Sequence, residues 1–159
     1  MLRASRRPFA VTLAASFLVL AGGCCSINPL VSCTPRFTAE ISAAQDLNSC
    51  TDQGSYPVKV RVYSLADAEA FRAADFEHLW FEESDLGGSV LGQQTFTAPP
   101  GSRAEQRWAR PAGTRLVGVV ANFCRLESGC FKHLVEVPEG SQRLVLELAG
   151  TCLTVRLRD

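Results

Sequence analysis

From residue 36 onward, apolar and polar positions alternate with period two. Phe37, Ala39 and Ile41 alternate with polar neighbours, the pattern of a half-buried strand. Val58, Val60 and Val62 alternate with Lys59, Arg61 and Tyr63, the cleanest strand in the chain, with one face buried and one wet. Between these runs lies a polar stretch, residues 45–57, with Asn48, Asp52, Gly54 and Ser55 as turn formers. Residues 65–81 break the alternation. They are rich in alanine and short of β-branched side chains, which favours helix. Asp67 and Asp75 are each placed to cap a helix start, predicting two short helices. Phe71, Phe76, Leu79 and Trp80 are expected to pack them onto the edge of the sheets, and Gly87-Gly88 to end the insertion.

Alternation then resumes. Residues 90–97 form a strand candidate cut off by Pro99-Pro100-Gly101, and residues 104–109, around Trp108, form a weaker one. Leu116, Val117, Val119, Val120 and Ala121 make a nearly continuous apolar run, the signature of a central strand buried on both faces. Residues 131–137 follow, then a turn at Pro138-Glu139-Gly140. Leu144, Leu146 and Leu148, a two-residue Ala149-Gly150 link, and Leu153, Val155 and Leu157 read as a closing hairpin. About eight short strands with close turns predict a mostly β fold. The expected form is a two-sheet antiparallel β-sandwich with Greek-key-like connections and a small helical insertion at about residues 65–82. There is no internal repeat and no low-complexity tract.

The region before the first strand has a different character. Arg3, Arg6 and Arg7 precede an apolar stretch, residues 9–20, too short to span a bilayer as an ordinary helix. Leu20-Ala21-Gly22-Gly23-Cys24 then places small residues before a thiol, as at a bacterial lipoprotein cleavage site, where diacylglycerol is attached to the sulfur. Residues 1–23 are therefore expected to be a lipoprotein signal peptide, and Cys24 the lipidated residue. Residues 24–35 would be a tether, and residues 36–159 the folded domain. Several acyl chains, at about 0.8 kcal/mol per buried methylene, make such attachment stable. Cys25 and Ser26 follow the lipid site with no aspartate to retain the product at the inner membrane, which favours the outer membrane.

Losing three arginines from 16 basic side chains leaves about 13 against 16 acidic ones. That balance argues against a nucleic-acid partner, since phosphate binding needs a basic surface. With Cys24 lipidated, six cysteines remain: Cys25, Cys33, Cys50, Cys124, Cys130 and Cys152, a number suited to an oxidising compartment. Cys124 and Cys130 flank a turn-like loop, and a disulfide stapling that loop is the first expectation. A zinc site would add His133, but a paired Cys-x-x-Cys and a fourth ligand are missing.

Motifs for catalysis are absent. His78 and His133 sit in no nucleophile or ligand spacing. Glu82, Glu83 and Asp85 form the densest acidic cluster but lack the spacing of a calcium loop. No catalytic residue, metal or cofactor is expected, and the protein reads as a binding module rather than an enzyme. The long polar connection before residue 58 is the best binding candidate, because connections of that length in compact domains tend to be binding loops or disordered segments; a floppy hairpin loop is the alternative. Cys50 within it could anchor it by a disulfide. A carbohydrate-binding sandwich would want aromatics on an open sheet face, and only Tyr63 sits on the polar face of a strand.

Taken in order, these features resemble the TssJ family of type VI secretion outer-membrane lipoproteins. The resemblance rests on the lipobox and on Asp46-Leu47-Asn48 ending the first strand. It rests further on Val58-Lys59-Val60-Arg61-Val62-Tyr63-Ser64-Leu65, Asp67-Ala68-Glu69-Ala70-Phe71 and Ala74-Asp75-Phe76. Leu79-Trp80, the strand Arg115-Leu116-Val117-Gly118-Val119-Val120-Ala121 and the closing hairpin complete it. The resemblance implies a two-sheet sandwich with a helical insertion, held on the periplasmic face of the outer membrane. It implies binding to the C-terminal periplasmic region of TssM, which with TssL completes the TssJ-TssL-TssM membrane complex. It also implies that the connection after the first strand makes the contact, here Asn48, Ser49, Cys50, Thr51, Asp52, Gln53, Gly54 and Ser55. The family often shows Asn-Pro-Asp and Gly-Arg-Pro-Ser-Pro around this loop, where this chain has Asn48-Ser49-Cys50 and Gly54-Ser55-Tyr56-Pro57. The extra cysteines are a further departure. The alternative is a lipid-anchored periplasmic sandwich that binds carbohydrate or another envelope protein.

Overall fold

The computed structural model describes residues 34–50, 54–126 and 129–158, and of residues 83–85 only the backbone. Eight strands form two four-stranded sheets. In chain order they are β1 (Arg36–Ala43), β2 (Val58–Leu65), β3 (Val90–Ala98), β4 (Arg103–Ala109), β5 (Leu116–Asn122), β6 (Lys132–Glu136), β7 (Gln142–Ala149) and β8 (Cys152–Leu157). One sheet has the order β4-β1-β7-β8 and the other β3-β2-β5-β6. The period-two reading is realised directly. Phe37, Ala39, Ile41 and Ala43 of β1 meet Val58, Val60 and Val62 of β2, Val117 and Val119 of β5, and Leu144, Leu146 and Leu148 of β7 in one buried layer. Burial of these side chains, each contributing about 1.5–3 kcal/mol when large, holds the sheets together.

One pairing differs from the antiparallel expectation. β1 runs parallel to β7, with Ala39 opposite Leu144 and Ile41 opposite Leu146. The two strands are far apart in the chain, so no hairpin constrains their relative direction; the long path through the other sheet returns β7 beside β1 in the same sense. β5 is buried along nearly its whole length, because its outer face is covered as well.

That cover is the helical insertion. Two helices follow β2, α1 (Glu69–Ala73) and α2 (Phe76–Phe81), then a 3-10 segment (Glu83–Ser89). Neither helix is long enough to persist alone in water. Asp75 caps α2 as expected, accepting the His78 N–H at 3.0 Å. Asp67 lies one residue before the cap of α1, where its carboxylate accepts the Glu69 N–H instead. The insertion packs over the outer face of the second sheet rather than its edge, joining Phe71, Leu79 and Leu86 to Tyr63, Leu65, Leu116 and Val120.

The cover corrects the reading of β2 as wet on one side. Tyr63 is fully buried, its hydroxyl donating to the Leu79 carbonyl, and so it offers no open aromatic platform. The polar side chains on this face serve helix ends. Arg61 Nη1 donates to Leu79 O at 3.2 Å and Trp80 O at 2.9 Å, and its guanidinium lies 4.6 Å from the centroid of the Trp80 ring. Lys132 Nζ, on β6, donates to Phe71 O at 3.3 Å, Arg72 O at 2.9 Å and Ala74 O at 2.6 Å. A cation here satisfies carbonyls that end the short helix and complements its negative pole. Lys132→Met keeps the stem and removes the charge. It is expected to lower stability by about 1–3 kcal/mol, measured as a shift of the urea midpoint with an unchanged slope.

Candidate functional site

β1 defines two poles. At its start, Arg36 N–H donates to Ser141 Oγ at 3.1 Å and Arg110 N–H to Pro35 O at 2.8 Å. The buried Arg110 side chain fastens this pole, donating to Gly140 O at 2.7 Å and Thr114 O at 2.5 Å and lying 5.3 Å from the centroid of Phe37. At the other end, Ala43 N–H donates to Ser102 O at 2.9 Å and Ala44 N–H to Leu148 O at 2.8 Å. Eight extended residues separate the poles by roughly 25 Å. The domain's N-terminal entry is therefore at one pole, and the β1–β2 connection, residues 44–57, starts from the other.

The described part of that connection is closely tied down. Leu47 is fully buried, and Asn48, 6% exposed, adopts φ 56°, alone among the described residues other than glycine in having a positive φ. Asparagine tolerates this left-handed conformation better than most residues. The Asn48 N–H donates to Gly150 O at 2.6 Å, and its Oδ1 accepts the Cys124 N–H at 2.8 Å. Asn48 is thus a framework residue, held by bonds inside the domain. Ser49 Oγ lies 2.9 Å from Asp46 O and 2.7 Å from Ser55 Oγ, closing the base of the loop. Cys50 is bridged to Cys124, with Cα atoms 6.1 Å apart. Gly54, at φ 105°, leads the chain back toward Tyr56, whose N–H donates to Leu47 O at 3.2 Å. Ser49, Gly54 and Ser55 frame the loop. Thr51, Asp52 and Gln53 lie outside the described residues, as does Cys24.

The bridges correct the expected Cys124–Cys130 staple. Cys124 pairs with Cys50 and Cys130 with Cys152, the latter with Cα atoms 4.5 Å apart. The reason is that the two ends of the β5–β6 loop face different neighbours. Asn48 draws Cys124 toward the β1–β2 loop, whereas the Leu153 N–H donates to Cys130 O at 2.9 Å and fixes Cys130 beside β8. With both sulfurs in disulfides, neither is available as a thiolate for zinc. Cys25 and Cys33 lie outside the described residues.

Elsewhere, a shallow cavity of about 290 Å³ is lined by Ala70, Ala73, Ala74, Asp75, His78 and Leu86. His78 Nδ1 is 2.7 Å from Asp75 Oδ1, and the bonds from His78 hold the Asp75 carboxyl below its ordinary range. Among the described residues its lining adds four apolar side chains, Ala70, Ala73, Ala74 and Leu86, to this pair. The open face of the first sheet is a lattice of ion pairs: Glu40 accepts from Arg143 at 2.7 Å and from Arg158, and these partners lower its pKa. Glu147 pairs with Arg156 at 2.6 Å. Among the described residues there is no cluster of three or more metal-binding side chains, and no helix long and apolar enough to cross a membrane.

Comparison with known proteins gives a consistent result. The family model for type VI secretion lipoproteins (VasD, EvfM, TssJ) matches residues 35–151. The chain is similar to the type VI secretion lipoprotein TssJ1 of Pseudomonas aeruginosa, at 26% identity and a TM-score of 0.73, covering 79% of this chain and 98% of that one. It is similar to Serratia marcescens Lip, described as a membrane-bound component of the type VI secretion system, at 20% identity and a TM-score of 0.71, covering 79% and 99%. A chain in a structure of the TssM C-terminal domain (869-1107) from EAEC matches at 20% identity and a TM-score of 0.65, covering 77% and 98%. At 20% identity these last two likenesses carry the fold alone. No curated protein matches the chain by sequence.

Proposed function

Because the chain belongs to the type VI secretion lipoprotein family, we propose that it is the outer-membrane anchor of that system's membrane complex, lipidated on Cys24 and facing the periplasm. In this reading it binds the periplasmic C-terminal region of TssM through the β1–β2 connection. The observation that supports it best is the two-pole geometry. The chain enters the domain at one end of β1, and the fastened base of a polar loop stands roughly 25 Å away at the other. Such a body needs no reaction to couple a membrane to a partner. It has to be tethered to a lipid and to present a loop to a partner, and in this reading the role is not enzymatic. The names attached to similar structures, a TssM C-terminal domain and a type VI membrane complex, suggest which partner to test.

The test replaces residues 49–55 by a short Gly-Ser turn, with Cys124→Ser to avoid a stray thiol. Pull-down of the TssM periplasmic domain is expected to be lost while far-UV circular dichroism still reports the folded sandwich. Stability should fall only by what the missing crosslink contributed, typically about 2–4 kcal/mol. Undiminished pull-down would move the contact away from this loop.

A further inference from the structure

We infer that the start of the β5–β6 loop, residues 124–126, is the second half of the partner-binding surface, and that the Cys50–Cys124 bridge makes the two loops one recognition unit. This rests on the reading just proposed and adds to it a surface with no sequence continuity to the first loop.

Three features carry it. The bridge lies outside the strands of both sheets: Cys50 is in the β1–β2 connection, and Cys124 follows β5. What it joins is therefore loop to loop rather than sheet to sheet. Arg125 Nη2 donates to Cys50 O at 3.1 Å, and Asn48 Oδ1 holds the Cys124 N–H. The segment is thus anchored by the bridge and two hydrogen bonds to the loop proposed to bind. The third feature is exposed apolar surface. Among the described residues, the large hydrophobic side chains left exposed are Tyr56 at 41%, Leu126 at 45% and Phe81 at 72%. Phe81 ends α2 on the helical insertion, while Tyr56 and Leu126 belong to the two bridged loops.

A tyrosine, a leucine and an arginine presented on crosslinked backbone suit a protein partner rather than a carbohydrate or lipid headgroup. Tyrosine and arginine are enriched among the few residues that dominate binding at interfaces. Apolar surface left in water by the free protein favours association when a partner covers it. The crosslink spans 74 residues of sequence. It removes loop freedom before the encounter, so less ordering entropy opposes binding.

The experiment is titration calorimetry of the purified mature domain with the TssM periplasmic C-terminal domain. It compares the natural protein, Arg125→Glu/Leu126→Ala, the 49–55 loop replacement, and Cys50→Ser/Cys124→Ser. Arg125→Glu/Leu126→Ala keeps the crosslink and the Asn48–Cys124 hydrogen bond and gives up only the exposed Arg125–Cys50 one, so its melting temperature should stay close to that of the natural protein. Its affinity is expected to fall about ten- to hundredfold. The crosslink-free variant should also bind more weakly, with a less favourable binding entropy. Natural affinity in Arg125→Glu/Leu126→Ala, alongside loss in the loop replacement, overturns this inference and leaves the proposed function standing. No binding by the natural protein removes the proposed partner and the inference together. Sedimentation showing a self-associating natural protein made monomeric by Arg125→Glu/Leu126→Ala, without TssM binding, assigns the surface to a second copy and likewise overturns it.

Discussion

Cys24→Ser is expected to yield a protein that carries no palmitate label and is missing from the outer-membrane fraction, with secretion by the system abolished. In the proposed reading the sulfur is the acyl acceptor, and a serine hydroxyl does not replace it. The size of the effect follows from chain arithmetic. One myristoyl-length chain gives a membrane association constant on the order of 10⁴ M⁻¹, so stable anchoring needs a second. Diacylglycerol on one thiol supplies both, and losing the thiol loses both at once. The folded domain begins well after the acceptor, at β1 (Arg36–Ala43). The unlipidated mature domain should therefore melt at the same temperature with or without the Cys24→Ser change. Cys25→Ser is the control, because the cleavage site is expected directly before Cys24 rather than before its neighbour. Metabolic labelling followed by density-gradient fractionation reads the outcome. Palmitate retained on Cys24→Ser, or secretion at the natural level, would place the acceptor or the anchor elsewhere.

Much of the fold is legible in the sequence because it rests on local period. Val58, Val60 and Val62 face one way because a strand alternates its side chains. The apolar run from Leu116 to Ala121 reveals two buried faces because no wet face leaves its mark. The length and polarity of the β1–β2 connection are local properties in the same way. What the sequence hides depends on partners distant in the chain. Tyr63 follows the polar phase of β2, and nothing local says that an insertion will fold back over it; its burial is visible only once Phe71 and Leu79 are in place. The disulfide pairing is hidden for the same reason, since Cys124 chooses between Cys130 and Cys50 by where Asn48 stands, 76 residues away. The parallel β1–β7 pair and the Arg110 cluster of carbonyls likewise have no local signature. The β5–β6 segment carries no functional mark in the sequence, because its exposed Leu126 gains meaning only from the bridge beside it. One local signal does point to the covered face: a glycine among β-branched residues in a buried strand often marks close approach by another group.

That glycine is Gly118, and it carries the second large prediction. Gly118 lies opposite Tyr63 in the β2–β5 pair, on the face covered by the insertion. A Cβ placed on it would lie 2.5 Å from a ring carbon of Phe71. Phe71 is the buried residue of α1, and its ring packs edge-on to Tyr63 with centroids 5.9 Å apart. The ring therefore rests in a notch made by the missing side chain. Phe71→Ala should cost about 3–5 kcal/mol through lost burial and the cavity left behind. Gly118→Ala should cost about 1–3 kcal/mol, because the ring must be displaced. The signs then separate this account from general core sensitivity. With Phe71 already reduced to alanine, the notch is empty and Gly118→Ala is expected to be neutral or slightly stabilising, since alanine loses less freedom than glycine in a strand. The coupling in the double-mutant cycle should be about 1–3 kcal/mol, read from urea unfolding of all four proteins at one temperature. Independent, additive costs would mean that Phe71 and Gly118 do not seat the insertion on the sheet. Because this contact lies over the sheet face rather than in the bridged loops, Gly118→Ala should leave TssM affinity at its natural value wherever the protein remains folded.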